Sequence, residues 1–198
     1  MPKFGLLADV HECVPELQHA LAWMQSEDVD RYVFLGDLVT TGEELEGCVE
    51  LLNQVDAIGV WGNHDFEFCC GRREATSKQI SGFFKSLHPH IDLGDVLASH
   101  VFPILNPHVE RELWYTRRFP QAAPDAAACF TELPHRILLT GHLHTWHALR
   151  DGELLDWQGE LPLDLEPESR YLFSIGAICS RRCAILDTDA WRLVPYNW

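Results

Sequence analysis

The sequence predicts an α/β fold in which mixed strands are flanked by helices. Short apolar runs alternate with helical patterns from residue 3 to residue 61, which favours parallel strands. Further strand patterns without helices between them occupy most of residues 136–195, which favours antiparallel pairing. Polar residues able to bind metals follow several of the strands. The predicted strand ends therefore also indicate where a site lies.

The first half of the chain predicts two βαβ units. Lys3–Ala8, Arg31–Leu35 and Ala57–Trp61 are apolar runs typical of buried strands. Pro15–Glu27 has apolar residues at helical spacing and begins with a proline, which a first helical position tolerates. Glu43–Gln54 is the second predicted helix, with acidic residues in its first turn. The short connections predict parallel strands joined by right-handed crossovers.

The second half of the chain is less regular. A helix is predicted at Thr76–Leu87, and strands are predicted at Asp95–Ser99 and Arg136–Thr140. Between those strands, residues 102–135 contain five prolines and are predicted to lack a long regular element. The last part of the chain predicts a hairpin turn and antiparallel strands. The turn is Asp187–Ala190, and the strands are Trp146–Arg150, Tyr171–Ile175, Cys183–Asp187 and Trp191–Pro195.

Length and composition predict one domain spanning residues 1–198. A chain of 198 residues, 46% of them hydrophobic, is long enough to bury a sizeable core. The net charge of −15 opposes binding to nucleic acid or to an anionic membrane. A phosphate-bearing ligand would therefore need a local positive field, such as that of bound cations.

Cysteine usage and the start of the chain predict a cytoplasmic protein. The seven cysteines are irregularly spaced and include no C-x-x-C pair, which is typical of reduced thiols and not of a disulfide framework or zinc ribbon. The first predicted strand begins near Lys3, so we expect no signal peptide. No apolar run approaches the length of a membrane span.

Five short motifs supply candidate metal ligands. They are Asp9-Val10-His11, Gly36-Asp37, Gly62-Asn63-His64-Asp65, His100 and Gly141-His142-Leu143-His144. The first three follow predicted parallel strands, whose carboxyl ends meet at one edge of a sheet, so we expect them to converge. Carboxylate and amide oxygens mixed with imidazoles suit divalent Mn, Fe, Zn or Co. His100 ends an apolar strand directly, and for that reason it is preferred to three nearby histidines, His88, His90 and His108.

This ordered set resembles the calcineurin-like metallophosphoesterase superfamily over residues 3–187, nearly the whole chain. The stretch Gly36-Asp37-Leu38-Val39, followed by Gly42, is similar to small bacterial phosphodiesterases and dinucleoside polyphosphatases. The resemblance implies a two-sheet β-sandwich flanked by helices, with two divalent cations, Mn²⁺ being the first choice in vitro. One cation would take Asp9, His11, Asp37 and His144; the other would take Asp37, Asn63, His100 and His142. The implied reaction is hydrolysis of phosphodiester or nucleotide polyphosphate bonds by a hydroxide held between the cations.

The resemblance also implies catalytic residues. His64 would protonate the leaving-group oxygen or stabilise its developing charge, and Asp65 would orient the His64 ring. The sequence departs from the family pattern at Glu12, where Gly or Ser is common, and at Val101, where Gly is common. Both positions lie in loops around the expected phosphate, so substrate preference stays open.

Residues 102–135 are a candidate wall of the substrate cleft, because both ends of the segment lie beside ligand motifs. The segment contains Trp114, which would stack on a base, and Arg117 and Arg118, which would hold a second phosphate. An ordinary surface connection whose aromatics pack on the core is an equal alternative.

Two further functions stay open. A phosphomonoesterase, including a protein phosphatase, would use the same ligands. A protein-interaction scaffold of the same fold would expose a large apolar patch, at Phe66–Cys70 or at Phe83, Phe84 and Leu87. The complete ligand set together with His64 favours an enzyme, and an antiparallel strand edge leaves a homodimer open.

Overall fold

The structure, a computed structural model, describes residues 2–198 and contains two six-stranded sheets packed face to face. The strands are β1 (Lys3–Leu7), β2 (Arg31–Phe34), β3 (Ile58–Gly59), β4 (His90–Asp92), β5 (Val96–Ser99), β6 (Ile137–Thr140), β7 (His147–Arg150), β8 (Glu153–Leu154), β9 (Leu163–Asp164), β10 (Tyr171–Ser174), β11 (Arg182–Asp187) and β12 (Arg192–Asn197). The helices are α1 (Val14–Ser26), α2 (Leu45–Gln54), α3 (Phe66–Cys69), α4 (Lys78–Ser86), α5 (Glu110–Leu113) and α6 (Ala123–Glu132), with a 3₁₀ turn at Ile178–Ser180. The expected two-sheet sandwich flanked by helices is confirmed.

The first sheet carries the predicted βαβ units, in the strand order β3-β2-β1-β11-β12-β9. β1 pairs in parallel with β2, where Leu6 lies opposite Val33, and β2 pairs in parallel with β3. β11 pairs antiparallel with β1 and forms a hairpin with β12. The predicted turn of that hairpin is present, since Asp187 Oδ1 accepts hydrogen bonds from the backbone N–H groups of Asp189 and Ala190.

The second sheet, in the order β4-β5-β6-β10-β7-β8, corrects one prediction. Tyr171–Ile175 was expected to pair antiparallel only. Instead β10 lies between β6 and β7, parallel to β6 on one side and antiparallel to β7 on the other. The residue pattern shows that this segment is a strand, but the identity of its neighbours depends on contacts distant in sequence. The parallel pairing places the end of β10 at the same edge as the ends of β5 and β6.

Alternating side chains divide the core into layers. In β1, Leu6 points between the two sheets, whereas Leu7 points toward the helices on the outer face. Leu139 in β6 likewise faces the other sheet, whereas Leu138 packs beneath α6. Both faces of the central strands are thus buried, which explains why these strands read as continuous apolar runs.

Helix α6 corrects a second prediction. Residues 102–135 were expected to lack a long regular element, yet α6 covers ten of them. Pro124 lies in the first turn of α6, where its missing N–H has no helical partner to lose. The proline therefore begins a helix that it was expected to exclude. The predicted helices correspond to α1, α2 and α4, with ends shifted by one or two residues.

None of the helices described in residues 2–198 is both long enough and apolar enough to cross a bilayer.

Candidate metal centre

All seven candidate ligands lie together, beyond the carboxyl ends of the parallel strands. Several of them sit on unusual backbone: φ is positive at Asp9 (51°), His11 (48°), Asp37 (61°), His142 (67°) and His144 (57°). A left-handed backbone at residues with side chains costs about 1–3 kcal/mol each and persists only where the surroundings enforce it. Such strain, concentrated on one set of polar side chains, is typical of a functional site.

The His-x-His motif turns at its histidines, because His142 and His144 themselves adopt the left-handed backbone. Gly141 allows the backbone to lie close to Leu35 and Asp9. A Cβ there would lie 3.1 Å from Leu35 O and 3.2 Å from Asp9 Oδ2, so a side chain at 141 would press on a ligand carboxylate.

One group of ligands comprises Asp9, His11, Asp37 and His144, and its ligand atoms lie within 4.8 Å of one another. His11 Nε2 is 3.8 Å from Asp37 Oδ2, and His144 Nε2 is 3.5 Å from Asp9 Oδ1. The two imidazole Nε2 atoms are only 3.2 Å apart. Two carboxylates and two imidazoles facing a common point form a donor set suited to a divalent transition metal.

A second group comprises Asp37, His100 and His142, with Asn63 between the two imidazoles. Asn63 Oδ1 lies 2.9 Å from His100 Nε2 and 2.9 Å from His142 Nδ1. Asp37 takes part in both groups, because its Oδ1 is 3.4 Å from His100 Nε2 while its Oδ2 faces His11. His100 is buried, and its Nε2 lies beside Asp37 and Asn63.

Electrostatics favours cations at these positions. Asp9 is fully buried, and its Oδ2 has no hydrogen-bond partner within the described residues. Burial raises the pKa of Asp9 well above its usual range, and the charge of His100 offsets this only in part. A buried carboxylate oxygen without a partner is costly, and a bound cation would remove that cost. The residues present therefore fit the metals that the motifs suggest.

The imidazoles differ in protonation. Burial lowers the pKa of His142 and of His144 to about 4 each, so both rings are neutral at neutral pH, which is the form that binds metals. Burial opposes the protonation of His100, but the charge of Asp37 and a hydrogen bond to it outweigh burial and raise the pKa of His100 to about 9. The same pairing holds the pKa of Asp37 below its usual range despite burial.

Partners outside the ligand groups fix the orientation of the rings. His142 Nε2 lies 2.6 Å from the carbonyl oxygen of Tyr115, so the N–H of that nitrogen donates there and Nδ1 is left facing Asn63. His100 Nδ1 lies 2.7 Å from Leu35 O and leaves Nε2 facing Asp37. Each contact selects the ring nitrogen that points into the site.

His64 borders the site without belonging to either ligand group. Its backbone N–H donates to Asp37 Oδ1 at 2.9 Å. Its ring lies 4.9 Å from the ring of His11 and 5.2 Å from the ring of Trp114, centroid to centroid. The ring is thus beside the ligands and next to an exposed aromatic surface.

Asp65 has different partners from those expected. It was expected to orient the His64 ring, but its buried carboxylate accepts backbone N–H groups from Gly62 and from three consecutive residues, Asp37, Leu38 and Val39, at 2.7–3.2 Å. It therefore fastens the Asp37 loop to the Gly62 loop. The two loops touch so closely that a Cβ at Gly62 would lie 2.1 Å from Asp37 Oδ1. Only glycine fits at position 62.

Glu12 fastens another loop beside the site. Its carboxylate accepts backbone N–H groups from Thr40 (2.6 Å), Gly42 (2.7 Å) and Glu44 (3.1 Å), and the hydroxyl of Thr41. Residues 40–44 directly follow the Asp37 block and contact His11 through Thr40. Glu12, which departs from the family pattern, thus shapes the edge of the site. Val101, the other departure, is buried with Phe66 and Leu113.

We expect Glu12→Ala to lower the free energy of unfolding by about 1–3 kcal/mol, because it leaves several backbone N–H groups without their charged acceptor. Urea unfolding measures the loss. Glu43→Ala is the matched control, an exposed glutamate of the same loop, and it should change stability by less than about 0.5 kcal/mol. Equal losses in the two variants would contradict the anchoring role.

The three candidate substrate residues of segment 102–135 have separate surroundings. Trp114 is 48% exposed and lies beside His64. Arg118 donates to Leu143 O at 2.7 Å and so braces the loop between His142 and His144. Arg117 pairs with Asp125 at 3.0 Å, within the segment itself. The structure brings Trp114 and Arg118 to the edge of the site, whereas Arg117 is held by α6.

Two side chains near the site were not predicted from the sequence. Arg182 donates to His144 O at 3.2 Å and supports the ligand loop from β11. Cys179 Sγ lies 3.7 Å from His144 Nδ1, and burial raises the pKa of its thiol to about 11. Cys179 closely follows β10, and the missed parallel pairing of β10 concealed its position. With β10 parallel to β6, residues after both strands reach the same edge.

Comparison with known proteins agrees with the fold. The chain matches the family of calcineurin-like phosphoesterases over residues 2–165, and it therefore belongs to that family. Family membership indicates a phosphoester hydrolase. No curated protein matches the chain.

Solved structures show the same fold. A metallophosphoesterase from Sphaerobacter thermophilus has a TM-score of 0.80 at 23% identity, covering 100% of this chain and 88% of that chain. A candidate diadenosine tetraphosphatase has a TM-score of 0.58 at 16% identity, covering 100% of this chain and 94% of that chain. An archaeal phosphodiesterase has a TM-score of 0.57 at 16% identity, with 98% of each chain covered. At these identities the likeness concerns the fold alone.

Proposed function

We propose that this chain is a single-domain phosphoesterase that hydrolyses phosphodiester or nucleotide polyphosphate bonds with two divalent cations. The observation that carries this proposal is Asp37, whose two carboxylate oxygens face two different groups of ligands. One cation would be held by Asp9, His11, Asp37 and His144, the other by Asp37, Asn63, His100 and His142. When bound, the cations would supply Lewis-acid activation of water and of the phosphoryl oxygens.

The protein's own groups perform three further tasks. Asp65 holds the Asp37 and Gly62 loops together and so sets the spacing of the ligands. Its contribution is positioning, since it contacts backbone N–H groups. His64 lies beside the ligands and would donate a proton to the leaving-group oxygen. The Tyr115 carbonyl and Arg118 keep the His-x-His loop in place.

A nucleotide substrate is supported by the surface next to His64. Trp114 is exposed there, and an aromatic ring beside the proton donor would let a base of the leaving group stack. Arg118 lies at the same edge of the site. The guanidinium of Arg117 is instead paired with the carboxylate of Asp125. Segment 102–135 would thus form one wall of the cleft. Because the net charge of the chain is −15, attraction of phosphates would depend on the bound cations and on Arg118.

The alternatives are less well supported. The patches that would favour an interaction scaffold are largely covered, since Phe66, Phe83, Phe84 and Leu87 are all buried. A phosphomonoesterase would use the same ligands, and a yeast protein serine/threonine phosphatase shares the fold with a TM-score of 0.52 at 12% identity. The exposed ring of Trp114 favours the nucleotide substrate over the monoester.

A substrate panel tests the proposal. The purified protein with Mn²⁺ would be assayed on a simple monoester, a nitrophenyl diester, a cyclic nucleotide and a dinucleoside polyphosphate. We expect the highest kcat/KM among the diester and polyphosphate substrates. A clear preference for the monoester would replace the proposal with the phosphomonoesterase alternative, and inactivity on every substrate with metals bound would reject hydrolysis of these classes.

We expect Trp114→Ala to raise KM for a dinucleoside polyphosphate by about 5- to 150-fold, since stacking of one base contributes about 1–3 kcal/mol. Turnover of a nitrophenyl ester should change little. Arg117→Ala should leave KM nearly unchanged, because Arg117 is paired with Asp125 on α6. Arg118→Ala would affect every substrate, because Arg118 braces Leu143.

Trp23→Ala is the control for this experiment, because Trp23 stacks on Tyr196 in a separate aromatic cluster. Similar losses on both substrate types in Trp114→Ala would show that Trp114 has no part in recognising the base.

A further inference from the structure

A groove lies near the His-x-His loop, and none of the seven candidate ligands lines it. Its volume is about 360 Å³, within the range of about 300–1,000 Å³ that is usual for small-molecule pockets. The groove is formed by the chain before α6, the start of β7 and the residues that follow β8. Its lining includes Phe119, His147, Leu154, Asp156, Trp157 and Gln158.

Two connections join this groove to the candidate metal centre. His147 comes three residues after His144, so their Cα atoms are at most about 11 Å apart, because consecutive Cα atoms lie 3.8 Å from each other. Phe119 directly follows Arg118, whose guanidinium donates to Leu143 O between the two ligand histidines. A ligand whose phosphate lies at the cations therefore reaches the groove after a short spacer.

The groove has flat aromatic walls. The rings of Phe119 and His147 lie 4.3 Å apart, centroid to centroid, with an interplanar angle of 39°. Trp157 also lines the groove, and its Nε1–H donates to Leu161 O at 2.8 Å, which fixes the orientation of the indole. Leu154 adds an exposed apolar edge. Aromatic surfaces of this kind bind planar rings by stacking.

Three polar side chains at the groove are without partners. In the part of the chain that the structure describes, His147, Asp156 and Gln158 make no side-chain hydrogen bond or ion pair. Burial lowers the pKa of His147, so its neutral ring offers one N–H donor and one acceptor nitrogen. Asp156 only accepts hydrogen bonds, whereas Gln158 both donates and accepts. Donors and acceptors beside flat walls match a nucleobase, whose edge carries both kinds of group.

The charges around the groove separate the place of a base from the place of its phosphates. Arg118 has no carboxylate partner among residues 2–198, and Leu143 O takes only one of its five N–H donors. The remaining donors are free to bind phosphate oxygens. Asp156 instead places a negative charge at the groove itself. The groove therefore suits an uncharged base, and Arg118 suits the phosphates attached to it.

We propose that this groove binds a second nucleobase, so that the preferred substrate is a dinucleoside polyphosphate held by both of its bases. The inference rests on the proposed function and deepens it by naming the class of nucleotide. One base stacks on Trp114 beside His64, and the other occupies the groove beyond Arg118. The phosphates lie between them, at the cations and at Arg118. A cyclic nucleotide has one base and fills only one of the two places.

Photolabelling locates the bases without depending on hydrolysis. The probe is a bis-adenosine tetraphosphate with azidoadenine bases and methylene-bridged phosphates, which resists hydrolysis. Protein with Mn²⁺ would be irradiated with this probe, and the labelled peptides would be identified by mass spectrometry. We expect label on the peptide that contains Trp114 and on the peptide that contains residues 154–158. Unmodified bis-adenosine tetraphosphate in excess should remove both labels. Absence of label from residues 154–158 and from Phe119 and His147 would overturn the proposal.

Kinetics on two matched substrates gives a second measurement. The wild-type chain should have a lower KM for bis-adenosine tetraphosphate than for adenosine tetraphosphate, which lacks the second base. His147→Ala should reduce this preference by about 5- to 150-fold, the usual effect of losing one stacked base. Gln158→Ala, at an exposed position where the fold is not at risk, should reduce it as well. His19→Ala is the matched control, because His19 stacks on Tyr196 in a separate cluster, and it should keep the preference.

Failure of the groove and failure of the proposed function give different results. Hydrolysis of bis-adenosine tetraphosphate with no label in the groove, and with the preference unchanged in His147→Ala, would overturn the second base site and leave the phosphoesterase intact. Label in the groove that excess unlabelled nucleotide removes, without hydrolysis of any substrate, would support the base site and reject the phosphoesterase.

Discussion

Asp37→Asn is expected to weaken both metal positions and to abolish hydrolysis. Each oxygen of Asp37 faces a different group of ligands, so no other single side chain among the seven takes part in both. The asparagine side chain has no negative charge, and an NH₂ group, which only donates hydrogen bonds, replaces one of the two carboxylate oxygens. Reconstitution with Mn²⁺ followed by elemental analysis should give about two ions per wild-type chain and markedly fewer in the variant.

The variant should fold, which makes the result interpretable. The introduced amide would keep an oxygen for the backbone N–H of His64, and the loop itself is held by Asp65 through backbone contacts. Asp28→Asn is a matched control, because Asp28 is an exposed aspartate that also has a left-handed backbone, with φ of 53°. A wild-type stoichiometry at or below one ion per chain would remove the dinuclear proposal. Full metal content in Asp37→Asn would remove the bridging role.

The architecture around the site was predictable because its signals are local. Each parallel strand of the first sheet is a short apolar run, and the residues that follow it carry the ligands. Carboxyl ends of parallel strands meet at one edge, so convergence of Asp9, Asp37 and Asn63 follows from strand order alone. The choice of His100 as a candidate ligand follows from its position directly after β5.

What escaped prediction depends on contacts distant in sequence. The pattern of Tyr171–Ser174 identifies a strand, but its parallel pairing with β6 is decided by packing, and with it the position of Cys179. A proline is compatible with either a break or a helix start, so Pro124 could not reveal α6. Apart from Gly62, the backbone N–H partners of Asp65 and Glu12 lie 26–32 residues away, which no local pattern encodes.

His64→Ala is expected to lower kcat by about 10²–10⁴-fold on esters with poor leaving groups, the usual contribution of a positioned proton donor. The loss should be much smaller on nitrophenyl esters, whose leaving group needs little protonation. Metal content should hardly change, because His64 stands outside both ligand groups and only its backbone N–H contacts Asp37. His88→Ala, an exposed histidine that contacts the β3 region through its backbone, is the control. Measuring kcat on both ester types together with metal stoichiometry separates the outcomes. Equal losses on both esters would reject the proton-donor role, and loss of metal would make His64 a ligand instead.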